Sequence, residues 1–329
     1  MNTMNKRYLP DIILFCISII LTGCTKTTAA ELTPVTVQLQ WIHQAQFAGL
    51  YAADQNGYYA EEGLAVTFVP GGSGVDSLQP LVDGSAQFGT ATADQILLAR
   101  VEGKFVKAFA VIYRRSPAVF MALKSSGITR PQDFVGKTIR LPAPNAPTLH
   151  AMMANLGISQ NQYSEVDLPS DVEEFASGRV PVWGAYVNAL AISVQRAGHE
   201  INIIYPDDYG VHFYSDTLIA TDDFIANNPD LVRRFLRASL KGWTFAVENP
   251  EKVGPMVLKY LPEADPELEN AKMISSIPLV NTGEDFIGWM KPEVWAAMEK
   301  ILREQGLIIN PLDVEQAYTA QFLEEIYNK

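Results

Sequence analysis

At 329 residues and 48% hydrophobic composition, the chain can fill more than one core of ordinary size. Its formal charge of -12, with no cluster of Lys and Arg, excludes nucleic acid as a partner, because phosphate binding depends on such clusters. Its two cysteines, Cys16 and Cys24, both lie near the N-terminus, which excludes a disulfide framework for the folded part.

Lys6 and Arg7 open the chain's first element, a basic start followed by the mostly apolar run "YLPDIILFCISIILTG" (residues 8–23), with Asp11 as an oddity inside it. The run ends in small residues before Cys24, which fits a secretory signal and is short for a spanning helix. The string "LTGC" resembles the bacterial lipobox. That resemblance implies cleavage before Cys24, lipidation of its thiol and anchoring on the extracytoplasmic side of a membrane; an uncleaved anchor is the alternative. "TKTTAAELTP" then reads as a polar tether.

After the tether, strand and helix signals alternate. "VTVQLQW" has the period of a strand, "AGLYAADQNGYYAEEG" has helical spacing and stops at glycine, and "LAVTFVPGG" is a strand again. "SGVDSLQPLVDGSA" predicts a short helix capped by Ser73 or Asp76. "AQFGTATA" is a strand, and Asp94 is placed to cap the helix "DQILLARVEGK". "FVKAFAVIY" and "AVFMALKSS" follow as β-biased runs separated by "RRSP". The order repeats from residue 125, through "NAPTLHAMMANLGI", "YSEVDLP", "DVEEFASGR", "VPVWGAYVNALAISVQRAG", "INIIYPDDYG" and "HFYSDTLIA". The last hundred or so residues are mainly helical. Such alternation predicts two α/β lobes with largely parallel sheets, and a small-molecule site in the cleft between them.

Several blocks together carry a family resemblance: "QLQWIHQAQFAGLYAADQNGYYAEEGLAV", "VPGGSGVDSLQPLVDGSAQFGTATADQIL", "VPVWGAYVNALAISVQRAG" and the stretch from "ADPELENAKMISS" to "EKILREQGLI". They resemble the solute-binding proteins of bacterial ABC importers related to the thiamine-pyrimidine-precursor synthases of fungi. The resemblance implies an α/β periplasmic-binding-protein fold of type II, with two lobes joined by two crossover strands, near 117–123 and 214–220. The implied division is a signal peptide at 1–23, a lipidated tether at 24–34, lobe 1 at 35–120 and 217–329, and lobe 2 at 121–216. It also implies an ABC permease as partner, contact with the membrane through the lipid anchor, and a monomer. The family's ligands include aminopyrimidine precursors of thiamine and riboflavin, taken as transported ligand with no cofactor. No metal site is expected.

Within that frame, Trp41 at the end of the first strand is read as one wall of a slot for a flat ring; the alternative is a core tryptophan. Gln44 can hydrogen-bond an amide or imide edge, while His43 is read as a turn cap. Gly72 and Ser73, in "GGSGVD", let backbone approach a ligand closely, although the spacing is not that of a phosphate loop. Asp94, Tyr113, Trp183, Tyr186, Asn188 and Asp208 complete the expected ligand set, with the acids accepting from hydroxyls. Arg114 and Arg115 are read as structural ion pairs. In the family, an acid that grips an exocyclic amine usually follows the asparagine of the "VWGAYVNALA" block; here that position holds Ala189. The missing acid, with the aromatics, favours riboflavin over an aminopyrimidine. Catalysis is not expected: the four histidines form no HExxH, and there is no GxSxG.

Overall fold

Buried strands read as mostly apolar runs, and two that follow each other here are "VKAFAV", broken only by Lys107, and "AVFMAL". In the structure, a computed structural model, these runs belong to different sheets. It describes residue 1, residues 31–72 and residues 74–328. The signal peptide, Cys24 and Ser73 lie outside the described residues. Among the described residues, no helix is long and apolar enough to cross a membrane.

The chain first lays down β1 (Thr33–Gln38), β2 (Leu64–Val69), β3 (Phe88–Thr92) and β4 (Val106–Val111). It then builds β5 (Ala118–Leu123), β6 (Thr138–Arg140), β7 (Ser164–Val166), β8 (Val182–Tyr186) and β9 (Ile201–Ile204), and returns with β10 (Asp216–Thr221). The sheet orders are β2-β1-β3-β10-β4 and β7-β6-β8-β5-β9. Both follow one plan. Three parallel strands are followed by an antiparallel strand that has just arrived from the other lobe, β10 in the first sheet and β5 in the second. The strands expected as crossovers are therefore the first strands after each crossing, and the crossing chain itself is residues 112–117 and 205–215.

The C-terminal helices pack on the first lobe. The Pro229–Glu248 helix lies across the Ala48–Gln55 helix at a point of glycine contact, where a Cβ on Gly242 would stand 2.1 Å from the Gly49 carbonyl oxygen. Only glycine permits backbones that close. Arg100 makes a two-pronged ion pair with Asp222 at 3.0 and 2.9 Å, fastening the Ala93–Val101 helix to the exit of β10. Tyr318 stacks on the buried Trp295 at 5.3 Å, so the last segment also closes against this lobe. The second lobe carries the shorter Ala146–Asn155, Val172–Ala176 and Leu190–Arg196 helices.

Candidate functional site

The exit of β1 is folded by contact with the exit of β2. Gly71 N–H donates to the Trp41 carbonyl at 3.0 Å, and a Cβ on Gly71 would lie 2.4 Å from the Leu39 carbonyl oxygen. That close approach fixes the backbone at Trp41 and leaves its indole outward, 41% exposed, next to the exposed Ile42. A Cβ on Gly72 would meet Ile42 at 3.7 Å, so Gly72 borders the same rim. His43 turns inward instead: its Nδ1 bonds to the Tyr51 hydroxyl at 2.8 Å and its ring stacks on Tyr260 at 5.5 Å. Burial lowers its pKa, which favours the neutral ring.

From this loop a chain of amides leads to a buried acid. Lys272 donates to Gln44 Oε1 at 3.4 Å, Gln44 Nε2 donates to Gln46 Oε1 at 2.8 Å, and Gln46 Nε2 donates to Asp216 Oδ2 at 2.6 Å. Gln40 Nε2 donates to the other carboxylate oxygen at 2.8 Å. A lysine can only donate and a carboxylate can only accept, so the two ends fix the direction of every amide between them. Asp216 opens β10, is 5% exposed, and also accepts from the Ser215 hydroxyl at 3.2 Å. Burial pushes its carboxyl up to about 6, against the pull of Gln46 and Gln40 in the other direction.

Asp94 joins this wall by a different route than expected. Strand β3 runs on to Thr92, which is the N-cap of the Ala93–Val101 helix in a reciprocal box with Gln95; Thr92 N–H donates to Gln95 Oε1 at 3.1 Å. Asp94 is thus not the cap but a first-turn residue, where the helix dipole favours its charge. Burial raises its pKa, opposed by the Thr92 hydroxyl. Thr90, two strand positions in, receives the Gln40 N–H at 2.9 Å.

The facing wall comes from the end of β8. Tyr186 is half-buried there, and its hydroxyl is pushed above its ordinary pKa by burial and then by the charges of Asp94 and Asp216. A tyrosine of the second lobe therefore sits within electrostatic reach of two acids of the first. Trp183, three residues earlier on the same strand, is fully buried in the second lobe; its Nε1 donates to the Val180 carbonyl at 2.9 Å and its ring packs edge-on against Phe175. Trp183 leaves no face for a ligand. Tyr113 and Asn188 are also buried, and they bond to each other and to Ser276. Asp208 is the one exposed residue of the Pro206–Tyr209 turn, whose Pro206 is buried, and it lies near Tyr205. Ala189 precedes the Leu190–Arg196 helix, its N–H bonded to the Tyr186 carbonyl at 3.0 Å.

The site so assembled has Trp41 and Gly72 at its rim, Asp94, Asp216, Gln40 and Gln46 on the first-lobe wall, and Tyr186 opposite. The sequence reading missed Asp216, Gln40 and Gln46. Four glutamines at 38, 40, 44 and 46 were a usable signal, since plain loops rarely need so many amides. Arg114 and Arg115 stand apart in an ion-pair network, with Arg114 on Asp285 at 3.2 Å and Arg115 on Glu284 at 3.2 Å.

Two five-stranded sheets of this order, each with its late-arriving antiparallel strand and with acids and aromatics at the strand ends between them, define a periplasmic-binding-protein fold of type II. The aliphatic sulphonate binding protein SsuA of Escherichia coli superimposes on it with a TM-score of 0.73 at 14% identity, over 90% of this chain and 99% of that one. Residues 44–253 match the family described as NMT1/THI5 like, and the chain belongs to that family. It is 29% identical to the riboflavin-binding protein RibY of Chloroflexus aurantiacus, over 89% of this chain and 86% of the relative. It is 28% identical to the formylaminopyrimidine-binding protein of Halalkalibacterium halodurans, over 91% of this chain and 94% of the relative.

Proposed function

We propose that this protein is the extracytoplasmic solute-binding component of an ABC importer, tethered by a lipid on Cys24, and that it captures riboflavin for delivery to a membrane permease. What supports the reading is the buried acid Asp216 at the start of β10, held by Gln40 and Gln46, with the charge of that acid felt at Tyr186 and the exposed Trp41 at the end of the first strand. A flavin has a flat ring for the aromatics and a chain of hydroxyl donors for the carboxylates. Charge-assisted bonds from such donors are about twice as strong as neutral ones. RibY, 29% identical over 89% of this chain, supports the choice. The role is binding and not catalysis, and it needs no cofactor.

A second reading is favoured by Asp216 itself. An acid at that position can accept from an exocyclic amine, which answers the vacancy at Ala189 and suits an aminopyrimidine, as the formylaminopyrimidine-binding relative suggests. Equilibrium titration decides between them, with riboflavin followed by its fluorescence and formylaminopyrimidine by calorimetry. Tight riboflavin binding that weakens by about tenfold to a hundredfold in Asp216→Ala is the expected result. Binding of the pyrimidine alone overturns the flavin reading and leaves the receptor role standing.

A further inference from the structure

Tyr113 and Asn188, expected as ligand contacts, donate their side-chain hydrogens elsewhere. Asn188 Nδ2 donates to Ser276 Oγ at 3.0 Å and to the Tyr113 hydroxyl at 3.3 Å. The Tyr113 hydroxyl donates to Ser276 Oγ at 3.1 Å, and Ser276 passes its own proton to the Lys272 carbonyl at 2.8 Å. Every donor hydrogen in this triangle is used. Ser276 and Tyr113 are almost wholly buried, and Asn188 is nearly so.

The three residues come from three bodies. Asn188 follows β8 of the second lobe, Ser276 lies on the Pro266–Val280 helix of the first, and Tyr113 sits in the first crossing. Val187 N–H bonds to the Pro117 carbonyl at 2.9 Å, which holds Asn188 beside the hinge, where a small rotation is enough to make or break the triangle. The same helix reaches the loop after β1. Glu269 accepts from Ala45 N–H at 2.6 Å and from Lys272 at 2.6 Å, and Lys272 starts the amide chain toward Asp216. One turn further toward its start, Asp265 pairs with Arg196 of the second lobe at 3.2 Å.

We infer that Tyr113, Asn188 and Ser276 form a hinge-side latch that holds the closed form, with the Pro266–Val280 helix linking the latch to the loop that carries Trp41 and Gln44. These are positioning residues, and they act without touching ligand. Separating the lobes must break the bond from Asn188 Nδ2 to Ser276 Oγ, while Ser276 keeps its own proton on the Lys272 carbonyl of the same helix. The latch therefore favours the closed arrangement through the bonds of Asn188; losing them is expected to move the open-to-closed ratio roughly tenfold.

The test needs no ligand. The full chain, with Cys16→Ser and Cys24→Ser, carries spin labels at Glu102→Cys on the first lobe and Glu173→Cys on the second, and the inter-label distance distribution is measured by pulsed electron resonance. Asn188→Ala and Ser276→Ala are expected to shift the distribution to longer distances, while Ser276→Thr, which keeps the hydroxyl, holds the original one. Distributions that stay unchanged in both alanine variants, with only the melting temperature lowered, overturn the latch and leave an ordinary buried hydrogen-bond cluster. A second arm adds riboflavin: faster release in Asn188→Ala, by about tenfold with association unchanged, is the expected result. A change in association with release unaltered argues against the latch. If wild-type protein does not bind riboflavin, the flavin reading fails and the distance arm still decides the latch.

Discussion

The two walls of the cleft are built on different principles. The first-lobe wall is polar and braced: Asp216 is held by Gln40, Gln46 and Ser215, and the glutamines are oriented by a lysine at the far end of their chain. The second-lobe wall offers Tyr186 and, behind it, a latch that contacts the first lobe rather than the cleft. Under the proposed function, one wall would read the ligand's donors with groups set in advance, and the other would close over it. Preorganisation on one side lowers the ordering cost of binding, and mobility on the other lets closure report occupancy.

The largest expected effect comes from the core behind the second wall, not from the wall itself. Trp183→Ala is expected to destabilise the second lobe by about 3–5 kcal/mol, because it empties a core site, and to leave affinity unchanged in whatever fraction stays folded. Urea unfolding followed alongside ligand titration checks both halves of that statement. Next in size is a pH effect on the first wall. Folded Asp216 holds its proton up to about pH 6, against about 3.8 for an ordinary aspartate. The native state binds that proton more tightly than the unfolded chain, so the contribution is fully present below about pH 3.8 and is lost as pH rises through about 6. At neutral pH the buried carboxylate costs up to about 3 kcal/mol. Asp216→Asn is expected to remove this dependence, seen as a urea midpoint that gains on wild type between about pH 4 and 7.

Smaller effects sharpen the comparison. Asp216→Ala deletes charge-assisted acceptors, each worth about 1.5–3 kcal/mol, and is expected to weaken binding by tenfold to a hundredfold in calorimetry. Trp41→Ala removes a stacking face worth about 0.5–1.5 kcal/mol, a loss of up to roughly tenfold in affinity with no shift in melting temperature. An equal loss of stability in Trp41→Ala would make it a core residue after all.

Much of the architecture was legible in the sequence because it rests on period. Runs such as "VTVQLQW" and "LAVTFV" state their strands, and glycine ends their helices. The site was harder, for two reasons that can be named. Trp183 and Tyr186 are three apart on one strand, and side chains alternate between faces, so they could not both look into the cleft. The period that predicted the strand already held that answer. Asp216 is a different case. It opens a buried strand at the end of "YPDDYGVHFYSD", and its role depends on Gln40 and Gln46, about 170 residues earlier in the chain. No local pattern shows such a pairing, and the more conspicuous Asp208 of the same stretch proves to face solvent.

The two crossings are also bonded to each other. Ser215 N–H donates to the Tyr113 carbonyl at 2.9 Å, and the Ile112 and Tyr113 N–H groups both donate to the Asp216 carbonyl, at 2.7 and 3.1 Å. Two separate straps would allow the lobes to twist as well as to close; a laminated pair flexes as a single leaf spring, in one direction. Asp216 lies in both the spring and the wall, its carbonyl clamped by one and its carboxylate turned to the other. A molecule that settles against that carboxylate therefore presses on the spring itself, and capture and bending become one mechanical event.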